Sequence, residues 1–571
     1  MLRSVAPPSS SSFRFDDTTI AAAPAGPALE LTASDGTGLR LVSVTARVVI
    51  DAPLAFTELH LVFENPEARQ LEGRFRIALP PGASLSRFAM RQGSHWQEGE
   101  VVERQAARRV YEDFLHRSQD PALLEHESGN EFSARVFPIP PNGRKELILS
   151  YGHELPAASP TYRLPLAGLP RLESLDVRAL LARVEAPAVT SSLGGASHGY
   201  HVIEVRKSGW KPDTDFEVKP PASPLAGLRS GNLVLMRVSP ALPTEPEEIR
   251  SLLVLLDTSA SRSLGHTRQV ETTLALARAL AAGMGADTPL AVACFDQTVR
   301  LAYEGPAGGF GDVQARAIAA NRALGASDLA AALRWAATRE GTRYERVLLI
   351  SDGVATAGQV EPEQLREAAR ALGAAGVRRL DALAAGGLRD DASLRRLVTA
   401  GLAQDGVVCE ADQPLYEIGD RLTRATRSGL TVTVPGAAWV WPPRLDAVQP
   451  GDAVLVYADL PADRPVALQL DGQPVALGDL GACERPLLER AWVKARIDRL
   501  EALRSDPGTD PDVRAGLKKQ ILELSVQHRV LCPSTALLIL ETEADYARHG
   551  IDRRALADIL TVGLGGLEVL H

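Results

Sequence analysis

Cysteine is almost absent from this chain: four residues in 571, Cys294, Cys409, Cys483 and Cys532, with no Cys-x-x-Cys spacing among them. That scarcity excludes a disulfide framework, a cysteine-rich zinc site and dithiol redox chemistry. Cys294, Cys409 and Cys532 fall in apolar runs that should bury them as thiols. Histidine is sparse too, at 11 residues. No His-Glu-x-x-His occurs, and the one close pair, His198 and His201, lies in a Gly/Ser-rich segment where a structural or solvent-facing role is expected. No apolar run approaches the ~18 residues of a membrane span, and the amino terminus lacks the apolar core of a signal peptide. Met1 to about Pro27 reads as disordered and the protein as cytoplasmic. Excess charge is also missing: the formal net charge is −9, with 23% charged and 45% hydrophobic residues. Nothing there calls for nucleic acid as a partner. Lysine is scarce beside abundant Ala, Arg, Gly and Leu, a bias of GC-rich, bacterial-type genomes.

What is present centres on Asp257-Thr258-Ser259-Ala260-Ser261, which follows the apolar run Leu252 to Leu256. Such a run, bounded by a polar turn, reads as a buried parallel strand. A carboxylate and two hydroxyls on alternate residues of that turn can converge on one point, and oxygen-only ligands suit a hard divalent cation. A second strand, Arg346 to Ile350, ends in Ser351-Asp352-Gly353. Open α/β sheets bind ligands at the carboxyl ends of their strands, so both acids belong to one edge. Between them, Gly325-Ala326-Ser327-Asp328-Leu329 opens a helical pattern and offers a third hydroxyl. The expected metal ligands are therefore Asp257, Ser259, Ser261, Ser327 and Asp352.

These three pieces in order resemble the metal-ion-dependent adhesion site of von Willebrand factor type A domains, Asp-x-Ser-x-Ser, then Thr, then Asp. Ser327 stands at the Thr position, without the methyl that restricts a Thr rotamer. From about 250 to 422, strands and helices alternate: strand Leu252 to Leu256, helix Thr267 to Met284, strand Pro289 to Phe295, helix Ser327 to Arg339, strand Arg346 to Ile350, helix Glu361 to Gly373, strand Leu380 to Ala384, helix Asp391 to Ala400, strand Val407 to Cys409. That order predicts a doubly wound, Rossmann-like parallel sheet.

The length implies roughly three or four domains. Residues 28–156 alternate apolar and polar positions, as in Leu39 to Val48 and Phe56 to Phe63, the mark of antiparallel strands. Within them Glu103 to Arg117 switches to helical period, with Ala107, Val110, Tyr111, Phe114 and Leu115 on one face. Ala106, Ala107 and Tyr111, then Leu123-Leu124-Glu125, Phe132, Arg135-Val136, Ile139-Pro140-Pro141 and Tyr151 are similar to the pattern of the vault protein inter-alpha-trypsin (VIT) domain. The fold class expected is thus multidomain α+β and α/β. It comprises a disordered segment 1–27, an antiparallel β-rich VIT domain 28–156, a β-rich connector 157–249, the type A domain 250–422, a β module 423–482 pairing with the connector, and a helical and strand tail 483–571. Asp506-Pro507 and Asp510-Pro511 are assigned to a turn. The order resembles inter-alpha-trypsin inhibitor heavy chains and their bacterial relatives.

That resemblance implies a non-enzymatic protein-binding scaffold, with Mg²⁺ (or Mn²⁺ or Ca²⁺) held at the site and a partner's Asp or Glu completing the shell. Two alternatives stand beside it. The same acids and metal could activate a water for hydrolysis, although no general base with a supporting neighbour can be read from the sequence. The chain could also be an accessory subunit of a MoxR-type AAA+ ATPase. It has no Gly-x-x-x-x-Gly-Lys-Ser/Thr, so the ATPase would be a separate polypeptide.

Overall fold

The computed structural model describes residues 29–570, apart from 34–37, 117–121, 128, 158–159, 184–188, 199–200, 222–224, 260–274, 276, 320–324, 412, 507, 541 and 552–557. The amino-terminal segment expected to be disordered and half of the helix expected at Thr267 to Met284 lie outside the described residues.

Between residues 250 and 422 the apolar runs form a six-stranded sheet in the order Val299–Pro306, Pro289–Phe295, Leu252–Asp257, Arg346–Ser351, Arg379–Ala384, Val408–Glu410. The first strand is antiparallel to its neighbour and the rest are parallel. Leu252, Val254 and Leu256 face one core while Leu253 and Leu255 face another. Both faces are covered, so the strand can be apolar at every position. Helices Leu329–Thr338, Pro362–Ala371 and Asp391–Val398 follow the strands, each close to its expected span, and a further helix not expected from the sequence, Leu415–Leu422, follows the last strand. Going along the sheet, the chain order reverses between Leu252–Asp257 and Arg346–Ser351, which puts the topological switch point between these two strands.

The amino-terminal domain is a sandwich of a six-stranded and an eight-stranded sheet. Leu61, Phe63, Phe75, Phe88 and Leu149 belong to the core between them. Helix Arg104–His116 buries Ala107 and Tyr111 in a smaller cluster with Leu123, Ala536 and Leu538.

Four described strands cross the boundaries expected from the sequence, Ala196–His198 and Val202–Trp210 together with the two that follow. Leu172–Leu181, in the expected connector, pairs parallel with Arg40–Asp51 and so belongs to the eight-stranded sheet. Thr535–Ile539, in the expected tail, lies between Glu100–Glu103 and Ala122–His126 of the six-stranded sheet. The 157–249 segment is therefore divided: its later strands Gly227–Ser230 and Leu233–Val238 pair with Leu480–Ala482 and Val454–Asp459. Those strands flank the parallel-sheet domain on both sides in sequence. Helices Arg485–Arg504 and Pro511–His528 share a core with this sheet, and Asp510 caps the second through Asp512 N at 2.8 Å.

Candidate metal centre

Asp257 ends its strand at the switch point with no exposure to solvent. Its Oδ1 accepts a hydrogen bond from Ser259 N at 3.0 Å, which folds the polar turn back over the strand end. Its Oδ2 accepts two more, from Ser327 Oγ at 3.0 Å and Ser351 Oγ at 2.7 Å. Ser259, Ser327 and Ser351 are fully buried, and Asp352 is 2% exposed. Asp352 Oδ1 accepts from Val354 N at 2.9 Å. The turn behind it needs Gly353, whose φ of +79° is left-handed and whose Cβ would stand 2.7 Å from Asp390 O.

Ser327 is held just before helix Leu329–Thr338. Its N–H donates to Thr356 Oγ1 at 2.8 Å, and its carbonyl accepts from Thr356 N and Ala357 N. Asp328 beside it caps the helix, accepting from Ala331 N at 2.8 Å. The expected ligands Asp257 and Ser327 thus meet directly, Ser259 is on the same turn, and Asp352 follows the neighbouring strand. Ser261 lies outside the described residues. Ser351 and Thr356 were not among the expected residues. Ser351 follows Ile350 in the strand run, where a serine reads as a strand terminator, and Thr356 is 29 residues from its partner with no motif to mark it.

The donor set fits a hard divalent cation. It is oxygen-only, and among the described residues Asp257 is met by three neutral donors and no cationic side chain. A buried carboxylate is costly without a compensating charge, and a cation would supply one. Among the described residues no group of three or more His, Cys, Asp or Glu gathers, so the centre rests on two acids supplemented by hydroxyls. The other chemistry-bearing groups are quiet. Burial pushes the Cys294 thiol up to about 11 and that of Cys409 to about 12, far from a reactive thiolate. Gly195-Ala196-Ser197-His198-Gly199 has the Gly-x-Ser-x-Gly spacing of a nucleophile elbow. Ser197, however, pairs with Ile203 in an antiparallel edge strand, where the strand-to-helix turn of an elbow is missing.

The family model of the vault protein inter-alpha-trypsin domain matches residues 41–151, so this stretch of the sandwich is a VIT domain. No curated protein matches the chain. Among solved structures, von Willebrand factor type A from Catenulispora acidiphila is 13% identical, with 60% of this chain and 89% of that one covered and a TM-score of 0.30. The ArnB paralog VWA2 from Sulfolobus acidocaldarius is 14% identical over 57% of this chain and 90% of that one, with a TM-score of 0.24. Proximal thread matrix protein 1 from the mussel byssus, with a zinc-occupied MIDAS motif, is 18% identical over 31% of this chain, with a TM-score of 0.24. The match spans just under half the length of the mussel protein.

Proposed function

We propose that this protein is a non-enzymatic, divalent-cation-dependent protein-binding scaffold. Asp257, Ser259, Ser327 and Asp352, joined by Ser261, would hold Mg²⁺, with Mn²⁺ and Ca²⁺ as alternatives, and a partner's Asp or Glu would complete the shell. The observation that carries this reading is the buried Asp257 carboxylate, met by hydroxyls from two further chain segments at the switch point of the sheet. When bound, the cation supplies an electrostatic anchor for an incoming carboxylate. The chain's own residues prepare that anchor. Asp257 and Asp352 provide the negative charge that selects a cation, and the serine hydroxyls add oxygen ligands without further charge, which leaves the centre attractive to an acidic partner. Ser351 orients Asp257, and Thr356 orients Ser327. Four free cysteines and no helix long and apolar enough to cross a membrane among the described residues suit work in a reducing compartment such as the cytoplasm.

The test is a pull-down from native lysate with wild type and Asp257→Ala, each with Mg²⁺ and with EDTA, after melts confirm that both fold. A partner retained by wild type with Mg²⁺ and lost in the other three samples is expected. The same partners in all four would overturn the reading.

A further inference from the structure

The amino-terminal sandwich reaches the edge that carries the candidate ligands. The turn between strands Ala122–His126 and Glu131–Ile139 presents Gly129 and Asn130, and Asn130 is 8% exposed. Its amide hydrogens go to Leu79 O at 2.7 Å within the sandwich and to Gly387 O at 2.9 Å in the loop 385–390 that follows strand Arg379–Ala384. Its Oδ1 accepts from Arg389 N of the same loop at 2.9 Å. Both donors and the acceptor are therefore committed to backbone groups, two of them across the boundary between domains.

That loop is the next layer behind the metal centre. Asp390 N donates to Asp352 O at 2.7 Å, and Ala385 N to Ser351 O at 3.2 Å, the same Ser351 whose hydroxyl holds Asp257. The loop is also gripped closely from both sides. A Cβ on Gly129, which has φ of +63°, would stand 2.4 Å from Arg389 O, and one on Gly353 would stand 2.7 Å from Asp390 O. No slack remains between the sandwich turn and the turn that carries Asp352.

We propose that Asn130 is a positioning residue for the metal centre, fixing Asp352 and Ser351 through loop 385–390, so that cation affinity depends on the docked VIT domain. The inference rests on the metal reading above. Groups that orient ligands from behind commonly alter metal affinity by 10–100-fold, and the coupling is reciprocal: bound cation strengthens the docking as much as docking strengthens the site.

The experiment is calorimetric titration of the full chain with Mg²⁺, using wild type, Asn130→Ala, Gly129→Ala and Asp257→Ala, each shown to be folded by its melt. Asn130→Ala and Gly129→Ala are expected to weaken Mg²⁺ roughly tenfold, and Asp257→Ala to abolish uptake. A merely structural Asn130 would lower the melting temperature and leave the Mg²⁺ affinity of the folded protein unchanged, and that result in both variants overturns the inference. If Asn130→Ala does not fold, Gly129→Ala decides, because it shifts the same loop and leaves the amide in place. Wild type that takes up no Mg²⁺ overturns the metal reading itself, an outcome seen in a separate arm.

Discussion

His153 is the buried group with the sharpest consequence for pH. It sits on strand Arg144–Glu154 between the rings of Tyr151 and Tyr162, with centroids 5.9 and 5.5 Å away, and beside Glu154, Arg490 and Lys494 in a small cavity. Burial lowers its pKa to about 4 from the usual ~6.5. Between these values the unfolded chain takes up a proton that the folded chain refuses, so stability is full above pH ~6.5 and falls as the pH drops toward 4. The loss reaches about 3 kcal/mol at pH 4. Other acids titrate in the lower part of that range, so the measurement is a difference: denaturant midpoints of wild type and His153→Gln from pH 7 to pH 4. The wild type should lose stability more steeply; parallel curves would remove His153 as the cause. The same scale decides what the sequence could show of the candidate metal centre. Asp257, Ser259, Ser327 and Asp352 were readable as candidates because each stands where an apolar strand ends or a helix begins. Ser351, Thr356 and Asn130 were not, because what they do depends on contacts with segments 94, 29 and 259 residues away.

At the level of elements, apolar periodicity placed most strands and helices close to their observed bounds, as with the helix expected at Glu103 to Arg117 and found at Arg104–His116. Pairing is a different matter, because a strand's period fixes which face it buries and says nothing about its neighbour. Thr535–Ile539 reads as a strand from its residues, yet its partners lie more than four hundred positions earlier. Arg529 reinforces that closure: 1% exposed, it pairs with the buried Glu100 at 3.0 Å. Without this strand, Glu100–Glu103 and Ala122–His126 would each present an unpaired edge and uncover Leu124 and Val101. A fragment of residues 29–156 alone should therefore show no cooperative thermal transition by circular dichroism. A sharp transition with native-like near-ultraviolet signal from that fragment would show that the tail strand is dispensable.

The whole molecule is organised by where the parallel-sheet domain leaves and rejoins the rest. The two connecting segments run side by side: Glu247 N donates to Thr423 O at 2.7 Å and Ala425 N to Glu245 O at 2.9 Å. Beneath them, at the amino-terminal end of the sheet, Arg379 reaches Glu247 at 2.6 Å, Asp381 at 2.8 Å and Arg424 O at 2.8 Å, and Arg346 reaches Glu247 at 2.9 Å. Burial works against the Arg379 charge, but Asp381 and Glu247 outweigh it and raise its pKa. Ends this close are the geometry of an insertion, since a short connection can replace everything between them at little loop-closure cost. Replacing residues 248–422 by a short Gly/Ser linker should leave the sandwich and the sheet built on Gly227–Ser230 and Leu233–Val238 folded, with a single cooperative melt. The excised segment 245–425 carries two complete cores of its own and should fold and take up Mg²⁺, but roughly tenfold more weakly, because Gly387 O and Arg389 N have lost Asn130. Equal affinity in the excised and full-length forms would confine the metal centre to its own domain, and failure of the remainder to fold would show that the parallel-sheet domain is a keystone of the molecule and not an insertion into it.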